Sequence, residues 1–542
     1  MKIKRLDLPP QRGNILDRNG RVLATNIKGY YVSFLPLEGY KKNEIEKVAS
    51  ILNVDFSSIN NLIKSILNNE RYSKYSSIKL KAYPITQNQA VQVDLAHLSS
   101  FKVEQFTKRF YPTDPSLFHV IGYVGMPTSS DSYYFPGDIV GRNGLEKEYE
   151  NYLKGMRGLL IEETDASGKA RKVLYKKSSL SGYNLKISID LRLQAFISDL
   201  MNNEKSSGAI IVMNPKTGEI LATVSKPWVD PNFMSYGIKN INIWNELIND
   251  PNKPLLNRTL HPYQPGSIIK PLLSFDMIES GKEDHFYDCT GKLVIPNPYG
   301  KAYVYRDWDY TGHGPDIGLK EAITYSCNIF FYHLGTLLGV TKMASCLDMF
   351  GINSPTGIDL PYESKGLVPT SEWKKANVGE KWYLGDSILM AIGQGYLKAT
   401  PIELITALDS LVNGGNIIKP HFLIDIEKNG KIVQKVNPII EKNIEAPSNT
   451  FKLIIKGMEY VVKYGTAEAA FEDAKYSSGG KTGTAQTGKD TTHAWYFGFT
   501  PVNNPEFSVL VFLENGGYGG ENAAPIARKI MDFYYFLRNG EK

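Results

Sequence analysis

The amino-acid sequence predicts a mixed α/β (α+β) protein with two domains, an N-terminal module over residues 1–182 and a larger domain over residues 183–542. The chain has 542 residues, and a domain usually has about 100–200, so two or more folding units are expected. Regular strand and helix patterns begin near residue 183, whereas the preceding segment mixes short elements with glycine-rich stretches. No repeat has the period of a solenoid or propeller.

Composition excludes several classes of protein. Hydrophobic residues make up 42% of the chain and charged residues 22%, which is typical of a globular protein with a large core. Lys and Arg number 62 against 56 Asp and Glu, and the resulting charge of +6 is too small and scattered for nucleic-acid binding. Three cysteines cannot form a dense disulfide framework. No run approaches the ~18 apolar residues of a membrane span.

The N-terminal module has the features of a scaffold. Short apolar runs flank Asn19-Gly20, a pair that favours a type I′ turn, so residues 13–23 are predicted to form a β-hairpin. Residues 41–70 place apolar side chains at helical spacing with a break near Asp55, which predicts two amphipathic helices. Every catalytic motif described below follows residue 260, so we expect a separately folded, non-catalytic module.

The larger domain opens with a strand, a helix and two further strands. Residues 181–190 (SGYNLKISID) alternate as a strand, and residues 191–203 (LRLQAFISDLMNN) have helical spacing. Residues 208–225 (GAIIVMNPKTGEILATVS) predict two strands joined by a tight turn. The same mixed texture continues to the end of the chain, which predicts one large α/β domain.

Ser267 and Lys270 form the first motif suited to catalysis. They lie three positions apart in QPGSIIKPLLSF, where Pro265-Gly266 and the apolar run predict a helix that begins at the serine. Positions i and i+3 share one helix face, so a lysine kept neutral by burial could take the proton of the attacking serine hydroxyl. The same Ser-x-x-Lys pattern occurs at three positions that we expect to be ordinary surface, Ser76/Lys79, Ser99/Lys102 and Ser371/Lys374.

Two further motifs follow along the chain. Ser326-Cys327-Asn328 and Lys481-Thr482-Gly483-Thr484 carry small polar groups suited to proton transfer and carboxylate binding. Ser-x-x-Lys, Ser-x-Asn and Lys-Thr-Gly in this order are the motif set of penicillin-binding proteins and class A β-lactamases. A phosphate-binding loop is excluded because Lys475 stands where its first glycine is required. The signatures of zinc proteases and of G-x-S-x-G hydrolases do not occur.

The sequence resembles a class B penicillin-binding protein over nearly its whole length, and most closely the elongation or rod-shape subgroup. In the second half the resemblance rests on LLNRTLHPYQPGSIIKP, RDWDYTGHG, SCNIFFYHLG, LMAIGQGYLKATPIEL, GGKTGTAQ and HAWYFGFTP. In the first half it rests on RGNILDRNGRVLA, RFYP, HVIGYVG and GRNGLEKEYENYLKG. The resemblance implies a penicillin-recognising, β-lactamase-like serine transpeptidase domain on an N-terminal pedestal, or dimerisation-like, module.

The resemblance also implies a role for each residue of the first two motifs. Ser267 would be the acylated nucleophile and Lys270 its general base. Ser326 would relay a proton to the leaving D-alanine, and Asn328 would hold the donor peptide. The enzyme would be a peptidoglycan D,D-transpeptidase, with D,D-carboxypeptidase activity as a possible side reaction.

The third motif would form the inner strand of the site. Lys481 is expected among the catalytic residues, and Thr482, Gly483 and Thr484 among the substrate-binding ones. Thr484 would bind the substrate carboxylate, and its N–H group would form an oxyanion hole with the N–H group of Ser267.

The same resemblance implies partners and a location. Peptidoglycan stem peptides would be the substrates and β-lactam antibiotics the inhibitors, while a membrane glycan polymerase and a rod-complex scaffold protein would contact the pedestal. Family members work on the periplasmic face of the inner membrane through a single-pass anchor, which we expect to lie upstream of this sequence. A division-type transpeptidase, a β-lactamase and a catalytically silent β-lactam sensor remain alternatives.

Four residues could bind a metal. Cys289, Asp307, His313 and Cys327 offer two thiolates, a carboxylate and an imidazole, a set that suits tetrahedral zinc. Their spacing matches no zinc finger, and the resemblance supports the site because some elongation-type members carry a structural zinc at this loop. A Cys289–Cys327 disulfide is the alternative. No cofactor is expected for catalysis itself.

Overall fold

A computed structural model describes residues 2–68, 77–131, 134, 138–164, 170–235, 241–488 and 490–540. The predicted mixed α/β fold is confirmed by the order of strands and helices in these ranges. None of the helices in the described part of the chain is both long enough and apolar enough to cross a membrane.

The N-terminal elements alternate between short strands and helices. The strands are β1 (Lys2–Leu8), β2 (Ile15–Leu16), β3 (Val22–Phe34), β4 (Ile78–Ile85), β5 (Phe101–Phe110), β6 (Val124–Gly125), β7 (Val140–Gly141), β8 (Gly158–Thr164) and β9 (Ala170–Lys177). The helices are α1 (Lys42–Leu52), α2 (Phe56–Leu67), α3 (Gln87–Leu95), α4 (Phe118–Ile121), α5 (Gly144–Glu148) and α6 (Glu150–Leu153), with 3-10 turns at Pro36–Glu38 and Pro115–Leu117.

The remaining elements follow from residue 184. The strands are β10 (Asn184–Ile187), β11 (Gly208–Met213), β12 (Ile220–Lys226), β13 (Tyr287–Cys289), β14 (Lys292–Ile295), β15 (Tyr303–Arg306), β16 (Gly314–Ile317), β17 (Asn416–Ile418), β18 (Leu423–Lys428), β19 (Lys431–Lys435), β20 (Ile440–Asn443), β21 (Gly479–Gln486), β22 (Thr492–Thr500) and β23 (Phe507–Leu513). The helices are α7 (Leu191–Asn203), α8 (Pro231–Met234), α9 (Ile241–Asn249), α10 (Lys270–Glu279), α11 (Leu319–Thr324), α12 (Asn328–Met349), α13 (Ser371–Asn377), α14 (Leu384–Met390), α15 (Pro401–Val412), α16 (Ser448–Tyr464), α17 (Glu468–Phe471) and α18 (Ala524–Gly540). Shorter turns are the 3-10 segments Arg258–Leu260 and Gly266–Ile269 and the π-helical segment Gly519–Ala523.

The predicted hairpin at the start of the chain is confirmed, but its predicted turn type is wrong. Strands β2 and β3 pair antiparallel, and Gly20 has a φ of 81° while Asn19 does not enter the left-handed region. The Asp17 carboxylate accepts hydrogen bonds from the N–H groups of Asn19 and Arg21. These side-chain contacts stabilise a turn over residues 17–20, and they override the preference of the Asn-Gly pair.

A small lobe of the N-terminal part has its own core. The two predicted amphipathic helices are α1 and α2, and Asp55 caps the second by accepting from the N–H of Ser58. Helices α1–α3 cover strands β3–β5, and the enclosed cluster of buried side chains is separate from the main core. Residues 69–70 of the predicted helical segment lie outside the described residues.

A seven-stranded sheet joins the two parts of the chain. It has the order β19-β18-β10-β2-β3-β4, with β5 also paired to β3. Strand β2 pairs in parallel with β10, opposite Leu185 and Lys186, and Ile15 and Leu23 belong to the same core as Leu185. The sheet and the main core therefore continue across residue 182, and the domain boundary stays a prediction.

A five-stranded antiparallel sheet forms the centre of the larger domain. Its order is β12-β11-β23-β22-β21, so β21 is an edge strand. Strands β22 and β23 are buried on both faces, and this makes the sheet a rigid base. The turn that carries Ser267 lies against β21, where Gly266 approaches the carbonyl of Thr484 and Gly483 approaches the nitrogen of Ile268.

Candidate active site

Ser267 lies in a 3-10 turn that leads directly into helix α10. The preceding Gly266 has a φ of 58°, and a Cβ there would lie 2.6 Å from the carbonyl oxygen of Thr484. Only glycine permits this approach, and it presses the start of the helix against strand β21. The N–H of Gly266 donates to the carbonyl of Gly393 at 2.9 Å, which fixes the turn from the other side. Ser267 itself is only partly buried.

Lys270 is fully buried at the start of α10, and its ammonium group faces the second motif. The Nζ atom donates to the backbone carbonyl of Ser326 and to the side-chain carbonyl of Asn328, both at 2.8 Å. The hydroxyl of Ser326 lies 3.4 Å away, and the ring of Phe331 faces the ammonium at 4.9 Å. Burial lowers the pKa of Lys270 to about 8, although the negative charge of Asp307 opposes that shift.

Ser326 and Asn328 lie at the junction between α11 and α12. Ser326 has a φ of 56°, an uncommon conformation for a non-glycine residue, and its side chain is buried. The Asp307 carboxylate accepts from the N–H groups of Asn328 at 2.8 Å and Ile329 at 3.2 Å. An anionic group is favourable at a helix N-terminus, so Asp307 stabilises α12 where the motif begins.

The third motif occupies the middle of β21. Lys481 is fully buried, and its Nζ donates to the carbonyl of Thr482 at 3.1 Å. Burial lowers the pKa of Lys481 well below its usual value, and the positive charge of Lys270 acts in the same direction. Gly483 lies beside the backbone of Ile268, where a Cβ would be 3.1 Å from its nitrogen.

The structure separates Ser267 and Lys270 from the other Ser-x-x-Lys pairs. Ser99 is exposed, and its hydroxyl donates to the carboxylate of Glu44. Lys374 forms a 2.7 Å ion pair with Asp386. Lys79 and Lys102 each lie within 4.0 Å of the Glu104 carboxylate, whereas no carboxylate of the described residues lies that close to the Lys270 ammonium. Of the four Ser-x-x-Lys lysines, Lys270 is therefore the one that the described residues leave buried without a counter-ion. Ser76 lies outside the described residues.

The four predicted metal ligands lie together beside the second motif. Their ligand atoms all lie within 4.8 Å of one another. Cys289 Sγ is 3.3 Å from His313 Nδ1 and 3.5 Å from Asp307 Oδ2, and Cys327 Sγ is also 3.5 Å from that oxygen. Both cysteines are free thiols in the structure. Burial raises the pKa of Cys327 and lowers the pKa of His313.

Sequence reasoning missed three groups that contact the third motif. The Thr466 hydroxyl lies 2.6 Å from the Thr482 hydroxyl, and the N–H of Gly519 donates to Thr484 Oγ1 at 3.2 Å. Gln394 donates to the carbonyl of Thr484 at 3.4 Å. None of these residues belongs to the three motifs, and of the three only Gln394 lies in a segment on which the resemblance rests, LMAIGQGYLKATPIEL.

Two family matches cover most of the chain. Residues 208–532 match the penicillin-binding protein transpeptidase domain, and residues 7–187 match the penicillin-binding protein dimerisation domain. The chain belongs to the class B penicillin-binding proteins. The predicted family is thereby confirmed.

Relatives of this class B penicillin-binding protein cover almost its full length. The peptidoglycan D,D-transpeptidase MrdA of Haemophilus influenzae is 33% identical, over 98% of this chain and 85% of the relative. A complex between PBP2 and MreC from Helicobacter pylori contains a chain with a TM-score of 0.83 and 29% identity, over 99% of both chains. A structure described as coordination of polymerization and crosslinking by a peptidoglycan synthase complex has a TM-score of 0.78 and 29% identity, over 98% of this chain and 92% of the other.

These similarities confirm the predicted D,D-transpeptidase activity and the elongation-type assignment. They do not favour the division-type enzyme, the β-lactamase or the silent sensor.

Proposed function

We propose that this elongation-type D,D-transpeptidase cross-links stem peptides through an acyl-enzyme on Ser267, with Lys270 as the base. The observation that carries this proposal is the buried Lys270, three residues after Ser267, whose ammonium donates to the Ser326 carbonyl and to the Asn328 side chain. With a pKa of about 8, about one Lys270 side chain in ten is neutral at pH 7. An ordinary lysine is neutral far less often, so burial supplies the base.

The reaction would have two steps, acylation of Ser267 and transfer of the acyl group to an acceptor amine. Lys270 takes the proton as Ser267 Oγ attacks the carbonyl carbon of the penultimate D-alanine, and the bond to the terminal D-alanine breaks. The leaving amine receives a proton through the Ser326 hydroxyl. In the second step an acceptor amine attacks the ester, the new amide forms, and Ser267 regains its proton.

Two buried lysines near one another favour this proton transfer. Burial lowers the pKa of both lysines, and the charge of Lys270 lowers the pKa of Lys481 further, so the site holds fewer protons than two ordinary lysines would. The lowered pKa of Lys481 favours its neutral amine, which adds no second positive charge beside Lys270. The N–H groups of Ser267 and Thr484 would stabilise the oxyanion, and donors of that kind are each worth about 2.7–4 kcal/mol in the transition state.

The substrate carboxylate would bind at the hydroxyl groups of Thr482 and Thr484. These residues occupy the edge strand, where an extended peptide can add antiparallel to β21. Gly483 between them leaves room for the approach of Ile268. β-Lactam antibiotics would bind in the same way because they offer a strained amide next to a carboxylate.

We also propose a structural zinc ion held by Cys289, Asp307, His313 and Cys327. A tetrahedral zinc site has edges of roughly 3.3–3.8 Å between ligand atoms. Four of the observed separations, from 3.3 to 3.8 Å, fit these edges. Zinc would supply no chemistry to the reaction. It would join β13 and the loop that bears Asp307 and His313 to the start of α12, which holds Ser326 and Asn328 in place.

Similar complexes support a proposal for the partners. The related PBP2 forms a complex with MreC, and another related chain belongs to a peptidoglycan synthase complex. We propose that this protein likewise contacts a scaffold protein and a membrane glycan polymerase through its N-terminal module. It would work on the periplasmic face of the inner membrane, through a single-pass anchor.

A peptide assay tests the function directly. The protein is incubated with a stem peptide that ends in D-Ala-D-Ala and with an amine acceptor, and released D-alanine and cross-linked product are measured. We expect both products, and neither with Ser267→Ala. Release of D-alanine without cross-linked product at any acceptor concentration would identify a carboxypeptidase and contradict the transpeptidase proposal.

A further inference from the structure

Thr466 connects the second and third motifs, although it belongs to neither. It follows the C-terminal end of α16, and its N–H donates to the carbonyl of Thr324, two residues before Ser326. Its hydroxyl oxygen lies 2.6 Å from that of Thr482 on the edge strand β21. One residue therefore bonds to both sides of the active site.

Close packing fixes the position of Thr466. A Cβ on the preceding Gly465 would lie 2.3 Å from the Thr324 carbonyl oxygen, so the chain can pass only if that residue is glycine. On the other side, a Cβ on Gly520 would lie 2.4 Å from the Thr466 carbonyl oxygen. Backbone on both sides therefore restrains the main chain at Thr466 in the position from which its hydroxyl contacts Thr482.

Thr484, like Thr482, has a hydrogen-bond partner from outside the third motif. The N–H of Gly519 donates to Thr484 Oγ1 at 3.2 Å. A hydroxyl group has one proton to donate and two lone pairs to accept. Gly519 fills one acceptor position of Thr484, and none of the hydrogen bonds of the described residues has the Thr484 hydroxyl as donor, so its proton can be donated to a ligand. Thr466 can do the same for Thr482 by donating to its oxygen.

We infer that Thr466 is a positioning residue that directs the hydroxyl proton of Thr482 toward the carboxylate of the bound donor. The inference rests on the proposed carboxylate role of Thr482 and Thr484. Thr482 and Thr484 occupy same-face positions about 7 Å apart along β21, a span that one carboxylate with its two oxygens can bridge. One hydrogen bond in a chain polarises the following one. A bond from the Thr466 hydroxyl to the Thr482 oxygen would therefore strengthen the bond from Thr482 to the carboxylate.

The test compares two β-lactams that differ only in that carboxylate. Second-order acylation rates are measured on the full chain with benzylpenicillin and with its methyl ester, and the ratio of the two rates is the readout. The ratio does not depend on the fraction of folded enzyme. Thr466→Val should lower it about three- to tenfold, because a hydrogen bond to a charged group is weakened. Thr466→Ser keeps the hydroxyl and should keep the ratio, and Thr466→Ala provides a smaller second variant.

The outcomes separate this inference from the function on which it rests. A lower ratio in Thr466→Val and Thr466→Ala, with the ester rate unchanged, supports the positioning role. If Thr482→Val lowers the ratio and both Thr466 variants leave it unchanged, Thr466 has no such role although the proposed carboxylate site stands. If Thr482→Val and Thr484→Val also leave the ratio unchanged, the carboxylate site itself is wrong and the inference falls with it.

Discussion

The ammonium group of Lys270 donates to the side-chain carbonyl of Asn328 at 2.8 Å, across 58 positions of sequence. This hydrogen bond joins the first motif to the second and leaves Lys270 with amide and carbonyl partners instead of a carboxylate. A carboxylate would have stabilised the ammonium and raised its pKa. With these neutral partners, burial lowers the pKa of Lys270 to about 8, as the proposed base role requires.

Replacing Lys270 by methionine should abolish acylation without unfolding the protein. The methionine side chain fills a similar volume, and removal of a general base costs about 10²–10⁴-fold in rate. Acylation by penicillin is measured together with the thermal midpoint. Lys102→Met, in the exposed Ser99/Lys102 pair, is the matched control and should change neither. Acylation of Lys270→Met at the wild-type rate would show that another group takes the proton.

The acylation rate should rise with pH through about pH 8. Burial lowers the pKa of Lys270 to about 8, so the neutral, basic form increases as the pH rises from 6 to 9. Measured second-order rates should level off above that range. A rate that is constant from pH 6 to 9, with intact protein throughout, would mean that no lysine titrates in the acylation step.

Protein purified without chelator should contain about one zinc ion per chain. Cys327→Ser combined with His313→Ala should remove it, because two of the four ligands are lost. Cys346→Ser is the control, since that buried thiol bonds to the carbonyl of Leu272 outside the cluster. Elemental analysis decides the matter. Less than about 0.2 zinc per chain, or zinc retained in the double variant, would contradict the four-ligand site.

The small N-terminal lobe should be dispensable for acylation. Phe34 and Phe101 are paired across β3 and β5, so residues 35–100 can be replaced by an Asn-Gly turn, with both phenylalanines changed to threonine. The lobe has a separate core, so we expect an acylation rate within about twofold of wild type. Removal of residues 1–182 should instead lower the thermal midpoint, because β2 and Ile15 are lost from the shared sheet and core. Loss of acylation in the lobe-excised protein would show that the lobe supports the site.

Local features of the fold could be predicted because short-range signals determine them. The break near Asp55 is a helix N-cap, and the Asn19-Gly20 pair does mark a hairpin. The parallel pairing of β2 with β10 could not be predicted, since the partners are separated by about 170 residues and no local pattern encodes the register.

The active site, too, could be predicted only in part from the sequence. Motif order indicated that Ser267, Lys270, Ser326 and Lys481 belong together, and the structure gives Lys270 its contacts with Ser326. Thr466 could not be found, because a threonine after a helix end has no distinctive spacing and acquires its partner only when α16 packs beside β21. The left-handed conformation of Ser326 was also invisible in the sequence, since tertiary contacts impose it.

The central claim is that the acyl-enzyme forms on Ser267. The most direct measurement is to incubate the full chain with a fluorescent penicillin, digest it and identify the labelled peptide by mass spectrometry. The label should be on the peptide that contains Ser267, should be absent in Ser267→Ala, and should persist in Ser371→Ala. A label on any other serine, or one that survives Ser267→Ala at the wild-type level, would contradict the account.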